Sequence, residues 1–268
     1  MAVIPSRRSD DAPQTRLETL GDVGLFAGAT MRRLPGVRRY LAEALHQARV
    51  MTAGSVGLVA FLSLVIGGQA ALFGTYFLKA IGAQGYIGLL TALADSQVVV
   101  ALMFGYVFAA KVGCGMVAEI GAMRINDELD ALETQGVDPL RYVVGTRLIA
   151  ALLFMPIVFP IGAAAANLGS YLMAVGLLDS TSRGTFNATH WALQDPINYV
   201  WTFVILVTIG VSIVLTATWY GYRVRGGAVE VGEATSRSMV ANLVLVHVLV
   251  GSMTAFFFGT HPNLPIGG

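Results

Sequence analysis

Residues 54–78 read GSVGLVAFLSLVIGGQAALFGTYFL, a run in which Gln69 is the one strongly polar group. A helix that crosses the hydrocarbon of a bilayer needs about 20 apolar residues, so this stretch is long enough to span. Working outward, four more stretches qualify: 86–110, 142–166, 198–220 and 239–258. The third contains Pro156 and Pro160, which neighbouring helices can accommodate by satisfying the freed carbonyls. The whole chain of 268 residues is 55% hydrophobic and 12% charged, with 31 glycines and a mean hydropathy of +0.68. Soluble domains carry about 25% charged residues, so a water-soluble globule is excluded. A net charge of +1 excludes nucleic-acid binding by bulk charge. One cysteine, Cys114, excludes a disulfide framework and a Cys-rich metal site.

Charge sets the expected orientation. Lys and Arg favour the cytoplasmic side in short loops, and 15 of the 17 fall on one side of the five stretches, leaving Lys79 and Arg183 on the other. The N-terminus is therefore expected in the cytoplasm and the C-terminus outside. No signal peptide is expected, because the first 50 residues lack a cleavable apolar core. Residues 1–15 read as a disordered leader. Residues 16–50 read as an interfacial amphipathic region, with Val37, Tyr40, Leu41, Ala44, Leu45 and Ala48 on one stripe and Pro35-Gly36 breaking it in two; docking on a partner subunit is the alternative. The spans occupy 51–258 and a short extracytoplasmic tail 259–268. The expected fold is thus an all-α membrane protein: an N-terminal interfacial helix and five transmembrane helices.

The connection between spans two and three differs from an ordinary loop. Ala118, Ala122, Ile125, Leu129 and Leu132 fall at steps of four, three, four and three, one apolar face of a helix expected over 118–135. Glu119, Asp127, Glu128, Asp130 and Glu133 make its other side acidic, and Arg124 can pair with Glu128 at i+4. Gly136 suits the position after the helix end and Pro139 stops continuation. Such a helix is either a solvated connector or an element through which a motor subunit pushes.

Several of these residues carry a resemblance. Ala109-Ala110-Lys111-Val112-Gly113, Ala118-Glu119-Ile120-Gly121-Ala122-Met123-Arg124, Asp130-Ala131-Leu132-Glu133, Gly136-Val137-Asp138-Pro139, Arg141-Tyr142 and Arg147-Leu148-Ile149-Ala150 are similar to the MlaE/YrbE permease family. The run from Gly226 to Arg237 resembles that family's last cytoplasmic loop, and the likeness covers roughly residues 40–258. The chain departs from the pattern at Lys111 (usually Arg), at Thr146 (often Pro) and in lacking a proline early in span two. Members are membrane subunits of ABC-type lipid transporters that work with MCE-domain proteins. The resemblance, with the long outer loop 179–197, suggests the actinobacterial Mce-associated branch. It implies a dimer with a second, identical or homologous permease. It also implies a cytoplasmic ABC ATPase dimer gripping the acidic coupling helix, a path for lipid or fatty acid towards an MCE assembly, and residence in the bacterial inner membrane. The residues it assigns to ATPase coupling are Glu119, Arg124, Asp127, Glu128, Asp130, Leu132 and Glu133.

The chain supplies no chemistry of its own. Neither lysine follows a glycine, so a phosphate-binding G-x-x-x-x-G-K is absent and ATP hydrolysis is expected from a partner. His46, His190, His247 and His261 are scattered, with no metal-binding spacing; no cofactor and no catalytic residue is expected. His247 is read as an interhelical hydrogen bonder near Asn242. Asp95, Gln97 and Gln69 are candidates for the lipid path or the subunit seam. Asp95 alternatively sits hydrated near the outer interface. The glycines Gly57, Gly67, Gly68, Gly74, Gly162 and Gly169 suit close helix packing, at a subunit seam or within one bundle. The competing function is an ion- or proton-coupled secondary carrier of a hydrophobic substrate, which favours an inverted repeat with several charges near the midplane.

Overall fold

The computed structural model describes residues 16–259, with side chains from Gly21 onward. The expected leader 1–15, His261 and all of the expected 259–268 tail except Gly259 lie outside the described residues. Among these, the regular elements are all helical. α1 (Arg16–Arg33) leads through a tight turn at Leu34–Tyr40 into α2 (Leu41–Ala80). α3 (Gln84–Ile125) is followed by the short α4 (Glu128–Thr134) and by α5 (Leu140–Leu177). α6 (Arg183–Ala192), α7 (Pro196–Tyr222) and α8 (Ala228–Phe258) complete the chain. Five helices are long and apolar enough to cross a membrane: α2, α3, α5, α7 and α8. α1, α4 and the neighbouring helix ends gather at one end of the bundle, here the polar end; α6 caps the far end.

The packing follows from side-chain size. α3 and α7 are the most enclosed spans and α8 the least. Phe104, Phe108 and Phe154 stack at the centre, with centroids 4.9 Å (Phe104–Phe108) and 5.9 Å (Phe108–Phe154) apart. Ile205, Ile209 and Ile213, one turn apart on α7, are fully buried beside them. α2 lies against α5 through glycine. A Cβ on Gly169 would strike the carbonyl of Leu64, and one on Gly67 the carbonyl of Ala166. The glycines flagged in the sequence therefore serve closely packed helices inside a single subunit, while Gly57 faces open space. Pro156 and Pro160 lie on the outer face of α5, away from the core that Phe154, Met155 and Val158 fill. Four wide turns, at Asp95–Val99, Phe108–Gly113, Leu140–Gly145 and Leu172–Leu177, each insert an extra residue and re-aim the buried face.

Two expectations change. α2 is one unbroken helix of 40 residues, about 60 Å by helical rise, so no boundary separates an interfacial region at 50 from the first span. Pro35 and Gly36 stand in the tight turn between α1 and α2, where the sequence places the break. Of the expected apolar stripe, Leu41 and Leu45 are 49% and 54% exposed, while Val37 and Ala44 are buried. The buried side continues from Ala44 through Met51, Ser55, Val59 and Ser63, of which Ala44, Ser55 and Ser63 are small enough to let α2 settle into the bundle. Finally, the single helix expected over 118–135 is two helices, because the chain breaks at Asn126–Asp127, where Asp127 takes φ 58°.

α1 docks on its own chain. Asp22 pairs with Arg223 at 2.7 Å, Arg33 with Asp138 at 2.9 Å, and Phe26 meets Tyr222 with centroids 6.0 Å apart. Lys111 of α3 donates to the carbonyl of Gly54 on α2, tying two spans near the polar end.

Candidate functional site

The polar end is built from the continuation of α3. Met116, Val117, Ile120 and Gly121 stay buried as the helix runs on, and α7 comes close enough that a Cβ on Gly221 would lie 3.0 Å from that of Ile120. The chain then turns through Asn126 and Asp127. An aspartate tolerates the left-handed conformation better than most residues, and it reverses direction just enough to lay α4 beside α3. Leu129 of α4 drops into an apolar nest with Ile120 and Val143, flanked by Met123, Leu132, Tyr142 and Tyr222. α4 therefore rests on α3, α5 and α7 together.

Its far end is closed with equal definition. Gly136, at φ 76°, lets its own N–H donate to the Glu133 carbonyl at 3.0 Å and the Val137 N–H to the Leu132 carbonyl at 2.9 Å. Together these form the paired closure that a glycine past a helix end permits. Asp138 Oδ1 then accepts from the backbone N–H of Leu140, at 3.1 Å, and of Arg141, opening α5. Nothing in 118–140 is a slack loop.

The acidic residues divide into two groups. Glu119, on α3, accepts from Arg147 of α5 at 2.5 Å; Arg147 also donates to the Val143 carbonyl at 2.8 Å. Arg147 is almost wholly buried, its side chain 5% exposed, while that of Glu119 is 50% exposed. Arg124 pairs with Asp130 at 2.7 Å rather than with Glu128, because the break at Asp127 moves Glu128 off the i+4 position. Leu132 is half-buried in the nest. That leaves Asp127, Glu128 and Glu133 exposed, with no salt bridge or side-chain hydrogen bond among the described residues. A depression of about 330 Å³ opens beside them, lined by Arg33, Glu133, Val137, Asp138, Leu140 and Tyr222.

The membrane-embedded candidates do not converge. Asp95 is fully buried, and the Ser170 hydroxyl donates to its Oδ2 at 2.6 Å. The same hydroxyl lies 2.9 Å from the Gly67 carbonyl, so α2, α3 and α5 meet there. Asp95 is thus neither hydrated at an interface nor facing a seam of this chain; it is interior to the bundle. Gln97 is half-buried with its Nε2 unpartnered, and Gln69 is exposed on the outer face of α2. His247 makes the interhelical bond expected of it, but with Tyr106, whose hydroxyl is 2.8 Å from Nε2. Asn242 bonds Ser238 instead.

A polar cluster at the far end went unread in the sequence. His190 of α6 is 1% exposed. Its Nδ1 lies 3.2 Å from the Gly88 carbonyl and 3.0 Å from the Thr91 hydroxyl, and its Nε2 lies 2.7 Å from Asn167 Oδ1. Gln194 Nε2 lies 2.7 Å from His190 Nε2 and donates to Asn167 Oδ1 at 2.6 Å. Tyr199 donates to Gln194. Burial pushes the His190 imidazole down from 6.5 to about 4. The cluster joins α3, α5, α6 and α7 across distances in sequence that no motif signals. Among the described residues no group of three or more His, Cys, Asp or Glu side chains is placed to hold a metal.

Five apolar spans with an ordered, acidic segment seated on three of them define a multi-pass membrane protein. The chain belongs to the MlaE permease family, whose model matches residues 44–256. Among similar proteins, a probable ABC transporter permease protein of Rickettsia felis is 28% identical over 90% of this chain and 93% of its own length. The intermembrane phospholipid transport system permease protein MlaE of Haemophilus influenzae is 26% identical over 90% and 92%. A probable ABC transporter permease protein of Synechocystis is 32% identical over 74% and 72%.

Proposed function

We propose that this chain is the membrane-spanning subunit of an ATP-driven lipid transporter, working with a partner that hydrolyses ATP. In this reading it lies in the bacterial inner membrane with the polar end in the cytoplasm. A second permease subunit, identical or homologous, completes the membrane unit, and lipid or fatty acid passes between the bilayer and an MCE-protein assembly on the other side. The observation that carries the reading is α4: a short helix offering three free carboxylates to solvent while anchored in a nest shared by three spans. An ATPase that grips α4 moves those spans. The sequence carries no G-x-x-x-x-G-K motif, which is in keeping with hydrolysis by a partner, and the phospholipid transport named for the Haemophilus relative supports lipid as the cargo.

Mechanistically, closure of the ATPase around bound nucleotide displaces α4, and α3 and α5 tilt with it. The tilt changes the width of an apolar cavity between the two permeases. An acyl chain gains about 0.8 kcal/mol per buried methylene, so narrowing the cavity takes away the gain that holds the chain there.

The test is recovery of the complex in mild detergent, with bound chains and lipid identified by mass spectrometry. Wild type should bring down an ABC ATPase and a phospholipid or fatty acid. The variant Asp127→Lys, Glu128→Lys, Glu133→Lys should insert normally but lose the ATPase. A wild-type complex free of any ATPase defeats the proposal and favours the ion-coupled carrier.

A further inference from the structure

The resemblance grouped Glu119 with the acids that face the ATPase, but the structure gives it a different occupation. Its carboxylate is held by Arg147, 28 positions away on α5, at 2.5 Å. Arg147 has nowhere else to go. Its side chain is 5% exposed, its second terminal nitrogen is taken by the Val143 carbonyl of its own helix, and its Nε is buried without a partner. A guanidinium so enclosed depends on that one carboxylate for neutralisation.

The position of the pair matters as much as its burial. Glu119 precedes the break at Asp127 by two helical turns, and Arg147 follows the start of α5 at Leu140 by two turns, so the bond crosses between the two arms that leave α4. Beneath α4 the contacts among Ile120, Leu129 and Val143 are apolar. Apolar surfaces slide over one another at little cost, because the attraction has no direction. A charged hydrogen bond is directional and short. It fixes the axial register of α3 against α5 where the nest alone does not.

We propose that Glu119 and Arg147 form the link that carries displacement of α4 into α5, so that the pair governs coupling and not attachment of the ATPase. Arg147 is then a positioning residue acting through Glu119, and Asp127, Glu128 and Glu133 are the attachment residues. This rests on the preceding reading that an ATPase docks on α4.

The experiment uses the assembled complex in nanodiscs containing phosphatidylglycerol and phosphatidylethanolamine. It reads three quantities: ATPase recovered per permease, ATP hydrolysed, and lipid moved per ATP. Glu119→Gln should recover the ATPase at wild-type stoichiometry and move about tenfold less lipid per ATP, within the range of coupling between linked sites. It should also melt earlier, because a buried charge is left alone. The double variant Glu119→Gln, Arg147→Met removes both charges. It should regain most of the lost melting temperature while staying uncoupled, a separation that a merely structural role cannot produce. Wild-type lipid yield per ATP in either variant overturns the proposal. So does recovery of coupling in step with recovery of melting temperature. Failure of the docking reading is a separate outcome, seen as wild-type complex without ATPase.

Discussion

His190 illustrates what one side chain can fasten. Its burial favours the neutral form, because a charged imidazole there would lose its hydration, although the Gly88 carbonyl beside it acts in the opposite sense. Its titration is lowered from 6.5 to about 4 by that burial. The released imidazole therefore binds protons more readily than the docked one. Attachment of α6 is fully present above pH 6.5 and weakens as pH falls from 6.5 towards 4, by up to about 3 kcal/mol. The titratable group facing it is Tyr199, through Gln194; Thr91 and Asn167 are uncharged. Hydrogen exchange over residues 183–194 should be slow at pH 7.5 and markedly faster at pH 5. In His190→Gln the difference between the two pH values should disappear; if it persists, another group is responsible. Nothing near His190 in sequence announces this role, because the cluster around it is drawn from four helices, α6 included. Glu119 and Arg147 were hidden for the same reason, although each residue was visible in its own motif.

At the level of elements, α4 depends on one side chain more than on its own seven residues. A helix that short is not stable alone, so Leu129 and the nest beneath it hold it down. Leu129→Ala should cost about 2–5 kcal/mol of local stability, read as accelerated exchange confined to residues 126–137 while the spans remain protected. Loss of protection throughout the bundle would contradict a locally seated α4. The sequence made the acidic segment legible as helix, and Gly136 as its end. It concealed the break, because a single aspartate at positive φ leaves the apolar spacing of 118–132 unchanged. Once Asp127 turns the chain, an i+4 pairing rule no longer applies, and Arg124 reaches Asp130 instead of Glu128. The glycines of α2 and α5 were legible as close packing; which surfaces they join needed the fold.

For the whole molecule, five spans were plain from composition, since apolar runs of that length have few other uses. Their faces were not. On α2 Leu41 and Leu45 point outward while small residues such as Ala44, Ser55 and Ser63 point in, an arrangement that makes sense for a helix whose surroundings are themselves apolar. The proposed placement of the ends, argued from charge, has a direct test. In a Cys114→Ala background, Asn187→Cys on α6 should react with a membrane-impermeant thiol reagent applied to intact spheroplasts, and Glu128→Cys on α4 should react after lysis alone. The opposite pattern would invert the molecule and remove α4 from the reach of any cytoplasmic ATPase.

The length of α2 has a mechanical meaning. At about 60 Å it is twice the roughly 30 Å depth of bilayer hydrocarbon, and it carries no joint between Leu41 and Ala80. Such a rod behaves as an oar in its lock. Any lean adopted by the buried blade is returned at the handle, near the bend at Pro35-Gly36, with a throw set by how thick the host membrane happens to be.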